Sequence, residues 1–264
     1  MESPKIDYIQ SKDNKTIKHI ISLQQRKYRQ KFGEYTVEGI RAVTDIGKKD
    51  FLRSILIRES KRSELEPLVQ KGFTVSSIYV VQDPIFDKIE HSVNGQGILG
   101  IAKKCVNDLH SLVVEDGLYV SLDGVQDPGN LGTIIRTAVA AGAKGIFLLK
   151  GTVDPYNEKC VRSTMSALCN IPIFEDVTLS EFYDFIKDNT IKTYVTSLEN
   201  AKPYHTISYP KRTMIILGNE GNGVSREIIE MCDQAITIPM YGDIESLNVS
   251  IAAALCMYKV REQI

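Results

Sequence analysis

The sequence predicts an α/β protein in two parts: a larger C-terminal domain on a parallel sheet, preceded by a smaller N-terminal α/β domain. Three observations lead there. Short apolar runs alternate with helical patterns along the whole chain. In the second half those runs are apolar at successive positions, as strands covered on both faces must be. Between the halves, residues 105–116 pass from polar to apolar with no long flexible tract, which makes 1–104 the first domain and 117–264 the second.

Along the first domain, Ile17, Ile20, Ile21 and Leu23 recur at helical spacing with basic residues between them, predicting one amphipathic helix from about Ser11 to Gln30. After Gly33, Glu34–Gly39 reads as a strand entering a helix over Ile40–Lys48. Leu52–Ile57 is a strand, Glu64–Lys71 a helix, Phe73–Val81 mostly strand and Ile98–Ala102 another strand. The second domain alternates more boldly. Strands are expected at Leu118–Leu122, Gly145–Leu149, Pro172–Phe174, Thr193–Ser197, Thr213–Leu217 and Ala235–Ile238. Helices are expected at Thr133–Ala141, Tyr156–Leu168, Leu179–Lys187, Arg226–Cys232 and Leu247–Val260.

Composition narrows the function classes. With 43% hydrophobic and 25% charged residues over 264 positions, the chain has material for a core and is not of disordered type. No apolar run approaches the roughly 18–20 residues of a membrane span, and the opening residues lack the apolar stretch of a secretory signal. Five cysteines without a CxxC pair argue against a disulfide framework or zinc ribbon and fit a reducing cytosol. His19, His91, His110 and His205 are scattered, so no metal is expected. The net charge of −1 hides an asymmetry: residues 1–31 carry eight Lys/Arg against three acidic residues. A basic segment of that kind suits phosphate contacts, although a solvated helix face gives the same pattern.

Three loops follow predicted strands, where open parallel sheets bind ligands. The first, Leu122–Gly132, runs into the helix carrying Arg136. The second spans Leu217–Ser225 and the third Ile238–Ser250. Gly218, Gly221 and Gly223 have GxxGxG spacing rather than GxGxxG, and no Lys-Ser/Thr follows, so a dinucleotide fold and a P-loop are both disfavoured.

Together these loops resemble the signatures of the SpoU–TrmH branch of the SPOUT RNA methyltransferases. N-x-G-x-x-x-R stands at Asn130, Gly132 and Arg136, L-G-N-E-G-x-G at Leu217–Gly223, and I-P-M…S-L-N-V-S at Ile238–Met240 and Ser246–Ser250. The first hundred residues resemble, more softly, the family's L30e-like RNA-binding domain, through Glu38-Gly-Ile-Arg-Ala-Val43 and Gln96-Gly-Ile-Leu99. The resemblance implies S-adenosylmethionine as cofactor, with S-adenosylhomocysteine as product. It implies a ribose 2′-hydroxyl as acceptor and a deep trefoil knot in the C-terminal domain that brings the second and third loops into one pocket. It further implies a homodimer through the last helix, whose run Ile251–Met257 is apolar.

By that resemblance, Leu217, Gly218, Asn219, Gly223, Ile238, Met240 and Leu247 hold the cofactor. Arg136, Asn130, Glu220, Ser246 and Asn248 are the candidate catalytic set. A literal base role for Arg136 conflicts with a pKa above about 12, so a phosphate clamp is preferred, with that phosphate or a water taking the proton. Lys15, Lys18, Arg26, Lys27, Arg29 and Arg41 are the candidate RNA contacts. The expected activity is methylation of structured RNA, with a guanosine of large-subunit rRNA ahead of tRNA, by a cytoplasmic protein without membrane partners. The alternative from another class is a non-catalytic RNA-binding or ribosome-assembly protein on the same fold.

Overall fold

The structure is a computed structural model that describes residues 5–70, 72, 75–92 and 95–264. The chain forms two compact units, 1–105 with 156–169, and 106–155 with 170–264.

The first unit opens with strand β1 (Lys5–Ile9), helices α1 (Lys15–Ser22) and α2 (Arg26–Phe32), strand β2 (Glu34–Glu38) and helix α3 (Ile40–Gly47). It continues with β3 (Leu52–Arg58), α4 (Leu65–Val69), β4 (Ser77–Val81), α5 (Asp83–Phe86) and β5 (Ile98–Lys103). The sheet order is β1-β4-β3-β5-β2. β1, β4 and β3 run parallel, while β5 lies antiparallel to both β3 and β2. Ile17, Ile20 and Leu23 bury against Leu56, Leu99 and Phe86 as the apolar stripe read from the sequence requires, whereas Ile21, the fourth residue of that stripe, faces outward at 40% exposure. Lys71 and residues 73–74, at the ends of the expected helix and strand, lie outside the described residues.

Two differences from the sequence reading have physical causes. The helix expected over Ser11–Gln30 is two helices. Asn14 caps the first, accepting from Thr16 N at 2.8 Å, and the chain breaks before Arg26. There Arg29 turns inward, its Nη1 donating to the carbonyls of Leu23 (2.7 Å) and Gln24 (2.8 Å). At 4% exposure, Arg29 is spent on orphan helix carbonyls, and its reading as a phosphate contact is corrected. β1 was not foreseen, because Lys5 and Asp7 interrupt its apolar positions; only Ile9 is buried.

The second unit contains β6 (Gly117–Leu122), α6 (Pro128–Ala140), β7 (Gly145–Leu149), β8 (Ile173–Val177) and α8 (Leu179–Asp188). Helix α7 (Glu158–Thr164), between β7 and β8, belongs to the first unit. Then come β9 (Lys192–Thr196), the two-residue β10 (Lys202–Pro203), β11 (Arg212–Leu217), α9 (Arg226–Met231), β12 (Gln234–Thr237) and α10 (Val249–Arg261). The seven strands are all parallel, in the order β10-β12-β9-β11-β6-β7-β8. Every residue of β6 and β7 is buried, as a doubly covered sheet requires. Phe147 is the centre of one core, with ring centroids 4.7 Å from Phe185 and 5.1 Å from Phe174. α6 starts five residues before the expected Thr133, because Asp127 caps it and Pro128 occupies its first turn.

Strand register places the site. Leu217 of β11 pairs with Leu122 of β6, so two loops leave the sheet from adjacent carboxyl ends.

Candidate active site

The first loop is shaped by a buried threonine. Thr152 Oγ1 donates to the Leu122 carbonyl (3.0 Å) and accepts from Gly124 N (3.1 Å), where φ is +69° and glycine is favoured. Gln126 Nε2 donates to the Gly151 carbonyl. The loop therefore reaches Asp127 in a fixed course. Asp127 accepts from Asn130 N at 2.8 Å, which sets Asn130 on the first turn of α6. Leu131, Ile134, Ile135 and Ala138 take the buried face of that helix, leaving Arg136 exposed. Among the described residues, no hydrogen bond or ion pair engages the Arg136 guanidinium.

The second loop is closed on itself. Asn219 and Gly223 exchange both main-chain hydrogen bonds at 2.9 Å. A Cβ on Gly218 would stand 2.1 Å from Gly223 C and 2.2 Å from Val224 N; both are main-chain atoms that cannot swing aside. Asn219 is the hub. Its Oδ1 accepts from Gly221 N (2.9 Å) and Asn222 N (3.0 Å), and its Nδ2 donates to the Gly124 carbonyl (2.9 Å). Ser225 N donates to Asp123 Oδ2 at 2.7 Å, a second tie to the first loop.

Where the loops meet, one polar chain runs through three of the predicted residues. Glu220 Oε2 accepts from Gln126 N (3.1 Å), and its Oε1 accepts from Asp127 N (3.2 Å) and Asn130 Nδ2 (3.0 Å). Asn130 Oδ1 then accepts from Asn248 Nδ2 (3.0 Å). Asn248 Oδ1 caps α10, accepting from Ser250 N (2.9 Å) and Ser250 Oγ (2.6 Å). Both ends of the Asn130 amide thus face a complementary partner, which fixes its orientation. Burial pushes the Glu220 pKa up, but donors from Asn130 and from main-chain N–H groups of Gln126, Glu220 and Asp127 outweigh it, and the net shift is downward. The carboxylate also sits at the positive end of α6.

The third loop is open. Ile238, Met240 and Leu247 are half-buried, Tyr241 is 93% exposed and Ile244 59% exposed. Ser246 is exposed and has no hydrogen bond among the described residues, so it stands apart from the Asn130 network. Leu217 is buried in the sheet and Gly223 lies on the exposed rim of the second loop. Sequence reasoning missed Thr152, Asp123, Gln126 and Asp127. Asp-Pro ahead of a helix was a legible cap signal for Asp127; Thr152 carried none, since its partners Leu122 and Gly124 lie 30 and 28 residues away in sequence.

Among the RNA candidates of the first unit, Lys15 is exposed, Lys18 pairs with Asp13 at 3.0 Å, and Lys27 lies over the Tyr28 ring at 4.8 Å. Arg26 is half-buried on α2, and Arg41 pairs with Asp45 at 3.8 Å. Among the described residues, no cluster of His, Cys, Asp or Glu is arranged to hold a metal ion, and no helix is long and apolar enough to cross a membrane.

Comparison with known proteins adds to this geometry. The model of the SpoU rRNA Methylase family matches residues 117–258, and that of the MRM3-like substrate binding domain matches residues 14–100. The 23S rRNA (guanosine(2553)-2′-O)-methyltransferase RlmP of Bacillus subtilis is 33% identical over 256 residues, covering 96% of this chain and 98% of that protein. The crystal structure of an AdoMet-bound rRNA methyltransferase from Sinorhizobium meliloti superimposes with a TM-score of 0.87 at 29% identity, covering 97% of this chain and 98% of that one. The SpoU methyltransferase AviRb of Streptomyces viridochromogenes gives a TM-score of 0.82 at 25% identity, covering 95% and 97%.

Proposed function

The chain belongs to the SpoU rRNA methylase family, and from that premise we propose that it methylates the ribose 2′-hydroxyl of a guanosine in 23S rRNA, with S-adenosylmethionine as donor. The observation that carries this reading is the Glu220–Asn130–Asn248 chain, which ties the first turn of α6 to the other two loops. The choice of guanosine rests on the Bacillus relative, which matches both domains rather than the catalytic one alone.

The site's chemistry fits the donor. The main chain at Gly218, on the loop that Asn219 and Gly223 hold closed, and the half-buried side chains of Ile238, Met240 and Leu247 offer a polar edge and apolar faces to an adenosine, with Leu217 supporting them from the sheet. The donor supplies a methyl group already activated on sulfonium sulfur. The protein's task is alignment and proton removal. Asn130 and Asn248 orient the ribose edge of the site, while Glu220 keeps Asn130 in place. Ser246, which has no hydrogen bond among the described residues, is available to substrate. Arg136 grips an RNA phosphate, and that phosphate or a water accepts the hydroxyl proton.

In this reading residues 1–104 bind RNA through Lys15, Lys18, Lys27 and Arg41, with Arg26 beside them, 105–116 connect, and 117–264 catalyse. The trefoil threading belongs to it as well, in keeping with β11 lying between β6 and β9 rather than at a sheet edge. So does a homodimer. Ile251, Leu255 and Tyr258, at i, i+4 and i+7 on α10, are 51%, 38% and 48% exposed, an apolar stripe suited to a second copy in the cytoplasm.

Incubation with labelled donor and separate 23S rRNA and tRNA substrates, followed by mapping of 2′-O-methyl positions, tests the function. Label at a guanosine of 23S rRNA is expected. Label in tRNA alone would replace the substrate, and donor binding without transfer to any RNA would leave a non-catalytic RNA-binding protein.

A further inference from the structure

Two thiols meet away from the methylation site. Cys105 and Cys169 are 64 positions apart in sequence, yet their Sγ atoms lie 3.0 Å from each other. Both are half-buried and so within reach of a small solute; Cys160 and Cys256 are buried. Their surroundings hold them in register. Cys105 N donates to Tyr156 Oη (3.1 Å), and that hydroxyl donates to the Cys105 carbonyl (3.1 Å). The Tyr156 ring packs on Tyr35 at 4.8 Å, and Tyr35 Oη lies 3.6 Å from Cys169 Sγ. Lys49 Nζ donates to the Cys169 carbonyl at 3.0 Å. A disulfide has a sulfur separation of about 2.05 Å, so bonding asks for closure by roughly 1 Å.

We propose that Cys105 and Cys169 are an oxidation site, forming a reversible intramolecular disulfide when a peroxide is the oxidant. The Cys169 thiolate attacks one peroxide oxygen and breaks the O–O bond, giving a sulfenic acid and a hydroxide that leaves as water. Cys105 sulfur then attacks the sulfenic sulfur, the S–S bond forms, and the hydroxyl leaves as water with the Cys105 proton. Two thiols are oxidised by two electrons and one peroxide is reduced to two waters.

The order of attack follows from the environment. The Cys105 thiol donates to Cys169, and the Tyr35 hydroxyl and Lys49 ammonium add to this against the opposing effect of burial. The Cys169 thiol is lowered, whereas that of Cys105 is raised. The site has a topological meaning too. Cys105 ends the segment 1–105 and Cys169 ends 156–169, so the bond would join the two points at which the chain leaves the first unit. The proposal does not depend on the methylation reading.

The full-length reduced protein is treated with hydrogen peroxide and read by intact mass and non-reducing peptide mapping. A loss of about 2 Da, a single cross-link between the Cys105 and Cys169 peptides, and full reversal by dithiothreitol are expected. Cys105→Ser should instead accumulate a sulfenic acid at Cys169, trapped by dimedone, with its circular dichroism unchanged. Sulfinic acid on either wild-type cysteine without a cross-link would overturn the proposal. So would a cross-link that draws equally on Cys232, or peroxide-treated wild type that keeps all five thiols.

Discussion

The second and third loops of the C-terminal unit lie in the same signature set but are built to opposite specifications. Residues 218–225 close on themselves through Asn219 and Gly223, with Gly218 packed against main chain and Glu220 holding three donors. Residues 238–247 present apolar side chains to solvent and leave Ser246 without a partner among the described residues. The same split separates Asn130, bonded at both ends of its amide, from Arg136, whose guanidinium is unbonded among the described residues. The lesson is a division between groups the fold has preorganised and groups that acquire their order from bound donor and RNA. Substitutions in the first set should lower stability together with function. Those in the second should lower function alone.

The largest effect is expected at Arg136. Arg136→Ala should reduce kcat/KM roughly 10²–10³-fold, the scale for losing a charge-stabilising donor, with Tm unchanged and S-adenosylhomocysteine affinity preserved by calorimetry. A fall in Tm would move Arg136 into the held set and break the division. Gly218→Ala comes next: its methyl meets main chain, so about 2–3 kcal/mol of stability and most donor affinity should go, read by urea unfolding and calorimetry. Asn130→Ala leaves the Glu220 and Asn248 side chains short of a partner and should cost about 1–2 kcal/mol with a marked loss of turnover; equal stability to wild type would make the network incidental.

Acid sharpens the same contrast. Because the folded Glu220 carboxyl titrates below its ordinary value, its contribution is fully present above about pH 4.3 and is lost only as pH falls through the depressed value. Glu220→Gln should therefore flatten that part of the stability–pH profile, measured by urea midpoints across the acid range. The smallest effect belongs to the open loop, where Tyr241→Ala should change stability by less than about 0.5 kcal/mol. A larger cost would mean that the loop is held after all.

Much of this was legible in the sequence, for reasons particular to each element. β6, β7 and β11 announce themselves because both faces are buried, so apolar residues fill successive positions apart from Ser121 in β6 and the opening Arg212 and Thr213 of β11. Asn130, Glu220 and Asn248 were identified from motifs, but their bonding to one another was not, since it spans 90 and 118 positions of sequence. Arg29 was misread because a cation in a basic helix looks the same whether it faces solvent or a neighbouring helix end. β1 escaped because an edge strand with one buried side chain has little periodicity to show.

Tyr156–Cys169 belongs to the first unit although it is made after the first two strands of the second. The N-terminal fold therefore cannot be completed on a translating ribosome until residue 169 has emerged. A gene fragment ending at residue 105 would yield that fold without Tyr156 and α7, so separate production of the two halves calls for a graft rather than a cut.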